Sequence, residues 1–235
     1  MVSSMEKKHL GKMETRYEKK LYSSIENYSQ IISSISLNPL CFSEIFSERK
    51  INSLYFDDLE FTSYYDSIEG ANLREKYRLR WYGKKKAQSE CRLEIKSKQN
   101  DITFKKFFDI GFINLNKPIR RTLIFEVINK LKNKYDFDKC LMENYFPILY
   151  CSYKRRYFLS KNRKIRLTVD TDISYSNISF LKALSVTKTI KYPNIVLEIK
   201  YSNREDINNI FSNNFFDNQI SRFSKYTNGI DLVYK

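Results

Sequence analysis

Five separated segments of the sequence place an ionic or small polar residue at every second position and an apolar one between. Glu14, Arg16, Glu18 and Lys20 share one parity, with Tyr17 and Leu21 on the other. Arg74, Lys76, Arg78 and Arg80 alternate with Leu73, Tyr77, Leu79 and Trp81. Glu90, Arg92, Glu94, Lys96 and Lys98 alternate with Cys91, Leu93 and Ile95. Arg166, Thr168, Asp170 and Asp172 alternate with Ile165, Leu167 and Val169; Glu198 and Lys200 alternate with Ile195, Leu197 and Ile199. Residues two apart on a β-strand point the same way, so each segment predicts a strand with one greasy and one charged face. A sheet solvated on one side explains any single strand. The set is harder to explain that way, because its charged faces hold few Ser, Thr, Asn or Gln and the four bases from Arg74 to Arg80 repel one another. A closed antiparallel barrel turns the charged faces inward, where carboxylates such as Glu14, Glu18, Glu94, Asp170 and Glu198 pair with some bases. The bases left over then require a bound polyanion. The expected fold is α+β: an antiparallel β-barrel tunnel with a charged interior, covered outside by helices.

The remaining periodicities supply those helices. Ser23 and Ser24 followed by Ile25, Tyr28, Ile31, Ile32 and Ile35 predict an amphipathic helix with a Ser start. A second helical stretch is expected over Pro39–Glu48, a short one over Phe61–Ile68 ended by Gly70, one over Leu123–Lys134, and one over Asn203–Phe216. Further strands are expected at Ile51–Phe56, Ile102–Phe108 and Ile148–Leu159. A turn is expected within Asp138–Asn144. Short connections, such as the basic turn at Gly83, favour antiparallel pairing. Residues 1–13 read as a flexible leader and 14–235 as one domain, since no repeat and no Pro/Gly/Ser-rich linker divides the chain.

Composition narrows the chemistry. Lys and Arg number 42 against 27 Asp and Glu, a net charge of +15, which points to a polyanionic partner. With one histidine, His9, Ser-His-Asp, Cys-His and multi-His metal chemistry are nearly excluded. Five scattered glycines form neither a G-x-G-x-x-G nor a Walker A loop. Cys41, Cys91, Cys140 and Cys151 lack C-x-x-C spacing and read as buried reduced thiols. No apolar run reaches the ~18 residues of a membrane span and no signal peptide is evident, so a cytoplasmic location is expected. Trp81 reads as helix-covered core, Asp57 and Asp58 as turn caps, and Lys84–Lys86 as a solvated turn.

The ordered set RYEKK (16–20), YFDD (55–58), Asp66 with EG (69–70), REKYRLRWYG (74–83), LEIKSK (93–98), SYKRRYF (152–158), RLTVDTD (166–172), VLEIKY (196–201) and FSKY (223–226) resembles the VTC domain. That domain is the polyphosphate polymerase module of the vacuolar transporter chaperone complex, within the triphosphate tunnel (CYTH-like) superfamily. The resemblance implies an antiparallel tunnel, ATP as phosphoryl donor, Mg²⁺ or Mn²⁺ as cofactor, and inorganic polyphosphate as product. By motif it implies phosphate-binding roles for Lys20, Arg78, Arg80, Lys96, Lys105, Arg155, Arg166, Lys200, Ser224 and Lys225, with Arg156 competing for the place of Arg155. Glu198 corresponds to the metal-holding carboxylate, and Glu18 or Asp170 either orients metal or water or pairs with an arginine. The charged faces themselves add Arg74, Lys76 and Lys98 as candidate phosphate ligands. Neither an SPX-like regulatory domain nor membrane spans accompany the module, so regulation by inositol phosphates and product export are not expected.

The reaction so implied is transfer of the γ-phosphate of ATP to a growing polyphosphate chain with release of ADP. Arg78, Arg80, Lys96, Arg155, Arg166 and Glu198 would act at the reacting phosphates. Two rivals remain: a metal-dependent triphosphatase on the same fold, and a non-catalytic binder of polyphosphate or nucleic acid. A stable nucleic-acid complex is not expected, because the aromatic residues fall mostly on the face opposite the arginines and offer bases no stacking platform.

Overall fold

The computed structural model describes residues 17–84, 88–100, 102–115, 121–135, 142, 144–178, 189–202 and 223–235. His9, Cys140, the leader, residues 14–16 of the first strand, Lys85, Lys86, most of the turn within 138–144 and the helix expected over 203–216 lie outside them. Nine strands are described: β1 (Tyr17–Ser24), β2 (Ser43–Asp57), β3 (Leu73–Tyr82), β4 (Ser89–Gln99), β5 (Ile102–Ile113), β6 (Phe146–Leu159), β7 (Ile165–Asn177), β8 (Thr189–Lys191) and β9 (Asn194–Tyr201). Four α-helices accompany them: α1 (Tyr28–Ser36), α2 (Thr62–Glu69), α3 (Arg121–Lys134) and α4 (Lys225–Tyr234). None is long and apolar enough to cross a membrane.

The strands pair antiparallel in the order β1-β9-β7-β6-β2-β3-β4-β5, with β8 beside β7. This is the expected α+β, antiparallel class, yet the ladder is open: among the described residues nothing pairs β1 with β5. Instead the sheet curls until β4 comes within electrostatic reach of β1. Lys96 on β4 feels the charges of Glu18 and Lys20 on β1. In a flat sheet those strands, six steps apart in the order, would lie about 29 Å from one another at ~4.8 Å per step. Arg80 of β3 likewise reaches across β2 to donate to the Tyr153 hydroxyl of β6 at 3.4 Å.

Two apolar cores cover the convex face, as the strand parities demand. Tyr77, Leu79, Trp81, Cys91, Leu93 and Ile95 pack under α3 through Leu123, Ile124, Val127, Ile128 and Leu131. Leu21, Ile165, Leu167, Val169, Ile195, Leu197 and Ile199 pack under α1 through Ile31 and Ile35. Each such fully buried side chain contributes about 1.5–3 kcal/mol. Ser24 caps the 3₁₀ turn Ile25–Asn27 that leads into α1, with its hydroxyl accepting from the Glu26 amide.

Three elements depart from expectation. Residues 43–48, expected to belong to a helix, form the start of β2, whose first eight residues are exposed. Register shifts between Glu44 and Phe46 and between Phe46 and Arg49 break the period of two, so Phe42, Ile45 and Phe46 mimic helical spacing. The third core lies on the concave face, not the outer one. There Tyr55, Leu149, Cys151, Tyr153, Ile173, Tyr175 and Val196 receive Phe223, Tyr226 and Ile230 from the C-terminal segment, with Tyr64 of α2. Helices α2 and α4 therefore close one end of the bore rather than cover its outside. Gly229 permits the close seating of α4, since a Cβ there would sit 2.5 Å from a Leu149 methyl and 2.7 Å from the Tyr175 ring. Finally, Cys41 is exposed, whereas Cys91 and Cys151 are buried as expected; all three are free thiols.

Asp57 holds this floor together. Fully buried, it accepts from the amides of Asp58, Ser63 and Tyr64 at the start of α2, and the Tyr226 hydroxyl of α4 donates to it. Replacing Asp57 by Ala strands these donors, and chemical denaturation should show a loss of about 2–3 kcal/mol. A loss below half that value would mean that the floor is held by apolar packing alone.

Candidate functional site

Register places the charged parities of seven strands on one continuous concave wall. Lys20 lies opposite Glu198, Arg155 opposite Asp170, Arg78 opposite Glu94, Lys76 opposite Lys96, and Lys96 opposite Lys105. Nearly all the candidate residues meet on this wall. Arg156, by contrast, points to the convex side, where it pairs bidentately with Glu44 at 3.0 and 2.7 Å and meets the Tyr28 hydroxyl at 3.1 Å. Arg155 is thus the arginine of the bore.

Part of the wall is internally neutralised. Glu94 binds Arg78 through Nε at 2.8 Å and Nη2 at 2.5 Å, and Arg80 at 3.1 Å. Burial alone would raise the Glu94 pKa, but Arg78 and Arg80 outweigh it and hold the carboxyl below its ordinary range. Asp170, fully buried, takes Arg155 bidentately at 2.5 and 2.7 Å and Lys225 at 2.5 Å. Again burial opposes ionisation, and Arg155 and Lys225 more than reverse it. Asp170 is therefore an ion-pair partner, with no oxygen left to orient metal or water. Glu198 pairs with Lys200 at 2.8 Å and lies 3.7 Å from Arg155; these cations overcome burial and hold it well below its ordinary pKa.

The rest of the wall is not neutralised. Lys76 and Lys96 face each other directly across β3 and β4, and among the described residues Lys96 has no ion pair. Burial, then Lys96, Lys20, Arg74 and Arg78, push Lys76 down to about 7 from 10.5. Burial, then Lys20 and Lys105 against the help of Glu18 and Glu198, push Lys96 down to about 8. The Lys96 side chain is exposed on the concave face of β4. Lys76 donates to the Ser224 hydroxyl at 3.2 Å, and Lys20 pairs with Glu18 at 3.0 Å and donates to the Phe223 carbonyl at 3.1 Å. Arg80 Nε, Ser53 Oγ and Thr168 Oγ1, all buried on this wall, lack hydrogen-bond partners among the described residues. A row of like charges with orphaned donors is stabilised by a polyanion.

The other candidates occupy the ends. Ser224 and Lys225 begin α4 at the closed floor. Arg74 donates to the Ala71 carbonyl at 2.7 Å, opposite Lys98. Lys105 is half-buried on the edge strand β5. Arg166 is exposed and lies opposite Lys200, at the end of the bore away from α4. Sequence parity gave no sign of Phe223, Tyr226 or Asp57 as parts of the site; only the FSKY match pointed towards the floor.

For a divalent cation the wall provides Glu198 and Glu18, whose carboxylates feel each other. Among the described residues no group of three or more His, Cys, Asp or Glu gathers. Two carboxylates suit a hard cation that takes its other oxygens from phosphate and water, so the residues fit a metal shared with a phosphorylated ligand.

Proton linkage gives a test. A polyanion restores ordinary pKa values to Lys76 and Lys96, so binding takes up protons, and affinity is full below pH 7 and falls as Lys76 and then Lys96 discharge. Calorimetric titration with tripolyphosphate should show affinity falling about tenfold between pH 7 and 9. The fall should flatten in the Lys76→Met, Lys96→Met double variant, which separates it from ionisation of the ligand. An equal slope in both proteins would contradict the assignment.

The model of the VTC domain family matches residues 15–234. Vacuolar transporter chaperone complex subunit 2 of Saccharomyces cerevisiae is 29% identical over 157 residues, 56% of this chain. The match spans only 18% of that longer protein. Among solved structures, a putative adenylate cyclase from Vibrio parahaemolyticus aligns at 11% identity over 92% of this chain and 98% of its own, with a TM-score of 0.49. A putative adenylyl cyclase from Hippeastrum, described as having a dominant triphosphatase activity, aligns at 10% over 92% and 97%, also with a TM-score of 0.49. Matched from near the start of β1 to the last turn of α4, the chain belongs to the VTC domain family.

Proposed function

We propose that the chain binds ATP and inorganic polyphosphate in the bore and transfers the γ-phosphoryl group of ATP to the end of the polyphosphate chain. The observation that carries this reading is the row Lys76–Lys96–Lys105 across three adjacent strands, cations facing cations on the concave wall. A terminal phosphate oxygen attacks the γ-phosphorus, the bond to the β,γ-bridging oxygen breaks, and ADP leaves. Phosphoryl transfer asks the protein chiefly for positioning and charge neutralisation. Arg78 and Arg80, fixed by Glu94, and Arg155, fixed by Asp170, supply rigid donors; Lys20, Lys76 and Lys96 supply mobile charge. Glu198, with Glu18 beside it, would hold Mg²⁺ or Mn²⁺, which when bound neutralises phosphate oxygens and weakens the bond to the leaving group.

A second reading, hydrolysis of a short triphosphate, is favoured by the closed floor, because a blind bore can hold a short chain whole. Incubation of the purified protein with ATP and Mn²⁺, followed by gel electrophoresis, separates the two. Long polyphosphate chains with stoichiometric ADP are expected. Free phosphate without chains would replace the first reading by the second, and neither product with no tripolyphosphate affinity would overturn both.

A further inference from the structure

Helices α2 and α4 pack against one end of the bore, so its other end offers a phosphate chain longer than the bore a way out. There the structure holds a small, partly open cavity lined by Arg163, Lys164, Arg166, Lys200 and Ser202. Among the described residues its lining has four cationic side chains and one hydroxyl, with no carboxylate and no aromatic ring. It joins the bore directly: Arg166 lies opposite Lys200, and Lys200 pairs with Glu198 at 2.8 Å. Arg163 and Lys164 belong to the β6–β7 turn and to none of the motifs that pointed to the bore.

That turn is rigid. The Ser160 amide donates to the Ile165 carbonyl at 3.0 Å, the Arg163 amide to the Ser160 carbonyl at 2.8 Å, and the Lys164 amide to the Asn162 side chain at 3.0 Å. The Ser160 hydroxyl accepts from the Ile165 amide at 3.0 Å. Arg163 takes φ = 60°, a left-handed conformation that Gly or Asn adopts more easily. An arginine here costs strain and places an exposed cationic side chain at the mouth.

We propose that this cavity is a second phosphate subsite, in which Arg163 and Lys164, with Arg166, Lys200 and Ser202, grip the part of a polyphosphate chain that extends beyond the bore. The inference rests on the reading of the bore as a phosphate site. Four cations and one hydroxyl match the repeating, singly charged units of such a chain. Among the described residues no aromatic ring lines the cavity for a nucleobase to stack on, which favours polyphosphate over RNA.

The test compares tripolyphosphate with long-chain polyphosphate on the full chain and on the Arg163→Asn, Lys164→Ser variant. Asn tolerates the left-handed turn, and an unchanged melting temperature checks the fold. Tripolyphosphate affinity should stay within about twofold, while long-chain affinity falls about tenfold or more and its log–log salt slope drops by about 1.4, roughly 0.7 for each lost contact. Unchanged long-chain binding, or a parallel loss for both ligands, overturns the subsite. So does a single-stranded oligonucleotide that outcompetes polyphosphate at the mouth. Failure of the unaltered protein to bind tripolyphosphate, with long-chain binding still dependent on Arg163 and Lys164, would overturn the reading of the bore and leave the mouth subsite standing.

Discussion

Replacing Asp170 by Ala should be the most destabilising single change in the described chain, at about 3–5 kcal/mol. Asp170 is fully buried and is the shared counter-ion of Arg155 and Lys225, at 2.5–2.7 Å. Its removal leaves two enclosed cations facing each other, and both have their pKa raised in the intact wall, where the carboxylate outweighs burial. The Lys225 contact also ties α4 to β7, so the floor of the bore should loosen with it. Thermal unfolding should fall by about 10 °C or more, taking 2–4 °C per kcal/mol for a chain of this size. The Asp170→Leu, Lys225→Met double variant should recover part of the loss, because it removes one of the stranded charges. A loss below about 1 kcal/mol for Asp170→Ala would show that solvent reaches the pair and that the floor is not sealed.

The second large effect has opposite signs for function and stability. Lys96→Met should lower phosphoryl-transfer turnover about 10²- to 10³-fold, the scale for removing one preorganised donor from a charge-stabilising site. The same change should raise stability at pH 7 by about 1 kcal/mol, a figure discounted for the contact of Lys96 with solvent. The cause is the row in which it sits: Lys76 and Lys105 lie directly opposite, and no ion pair with Lys96 exists among the described residues. Its pKa, about 8 in the fold against 10.5 ordinarily, means that the unfolded chain binds more protons than the native one. The penalty is complete below pH 8 and fades as pH rises towards 10.5, so the stability gain of Lys96→Met should vanish over that interval. A variant that lost turnover and stability together would show Lys96 to be structural. One that kept full turnover would remove the lysine row from the proposed site.

Much of this was legible in residue order because strand parity is a local property. From Arg74 to Arg80, and from Glu94 to Lys98, alternation alone identified the ionic face, and the greasy partners Leu79, Trp81 and Leu93 are buried as parity requires. Gly70 ends α2 at φ = 77°, and Asp57 and Asp58 cap its start, both readable from residue type. Where a bulge shifts register the same reasoning failed, as at Ile45 and Phe46, since one inserted residue converts a period of two into spacing that resembles a helix turn. The choice between Arg155 and Arg156 was also out of reach. Both belong to one basic run, and the face each takes depends on the register of β6 against its neighbours, which shifts between Ser152 and Lys154.

Residue order by itself determined the two-faced strands and the surplus of base over acid on the ionic face, from which the expectation of a polyanionic ligand came, because side-chain direction on a strand follows from backbone geometry over a few residues. The tertiary structure alone decided that the ladder stays open between β1 and β5, and that α4 seals one end of the bore while the other stays basic. The segment KYTNGIDLVY of α4 holds Thr, Asn, Gly, Val and Tyr, weak helix formers. Its helix is made stable by packing on Leu149, Tyr175 and Asp57, contacts with partners at least 50 residues away that no local pattern encodes.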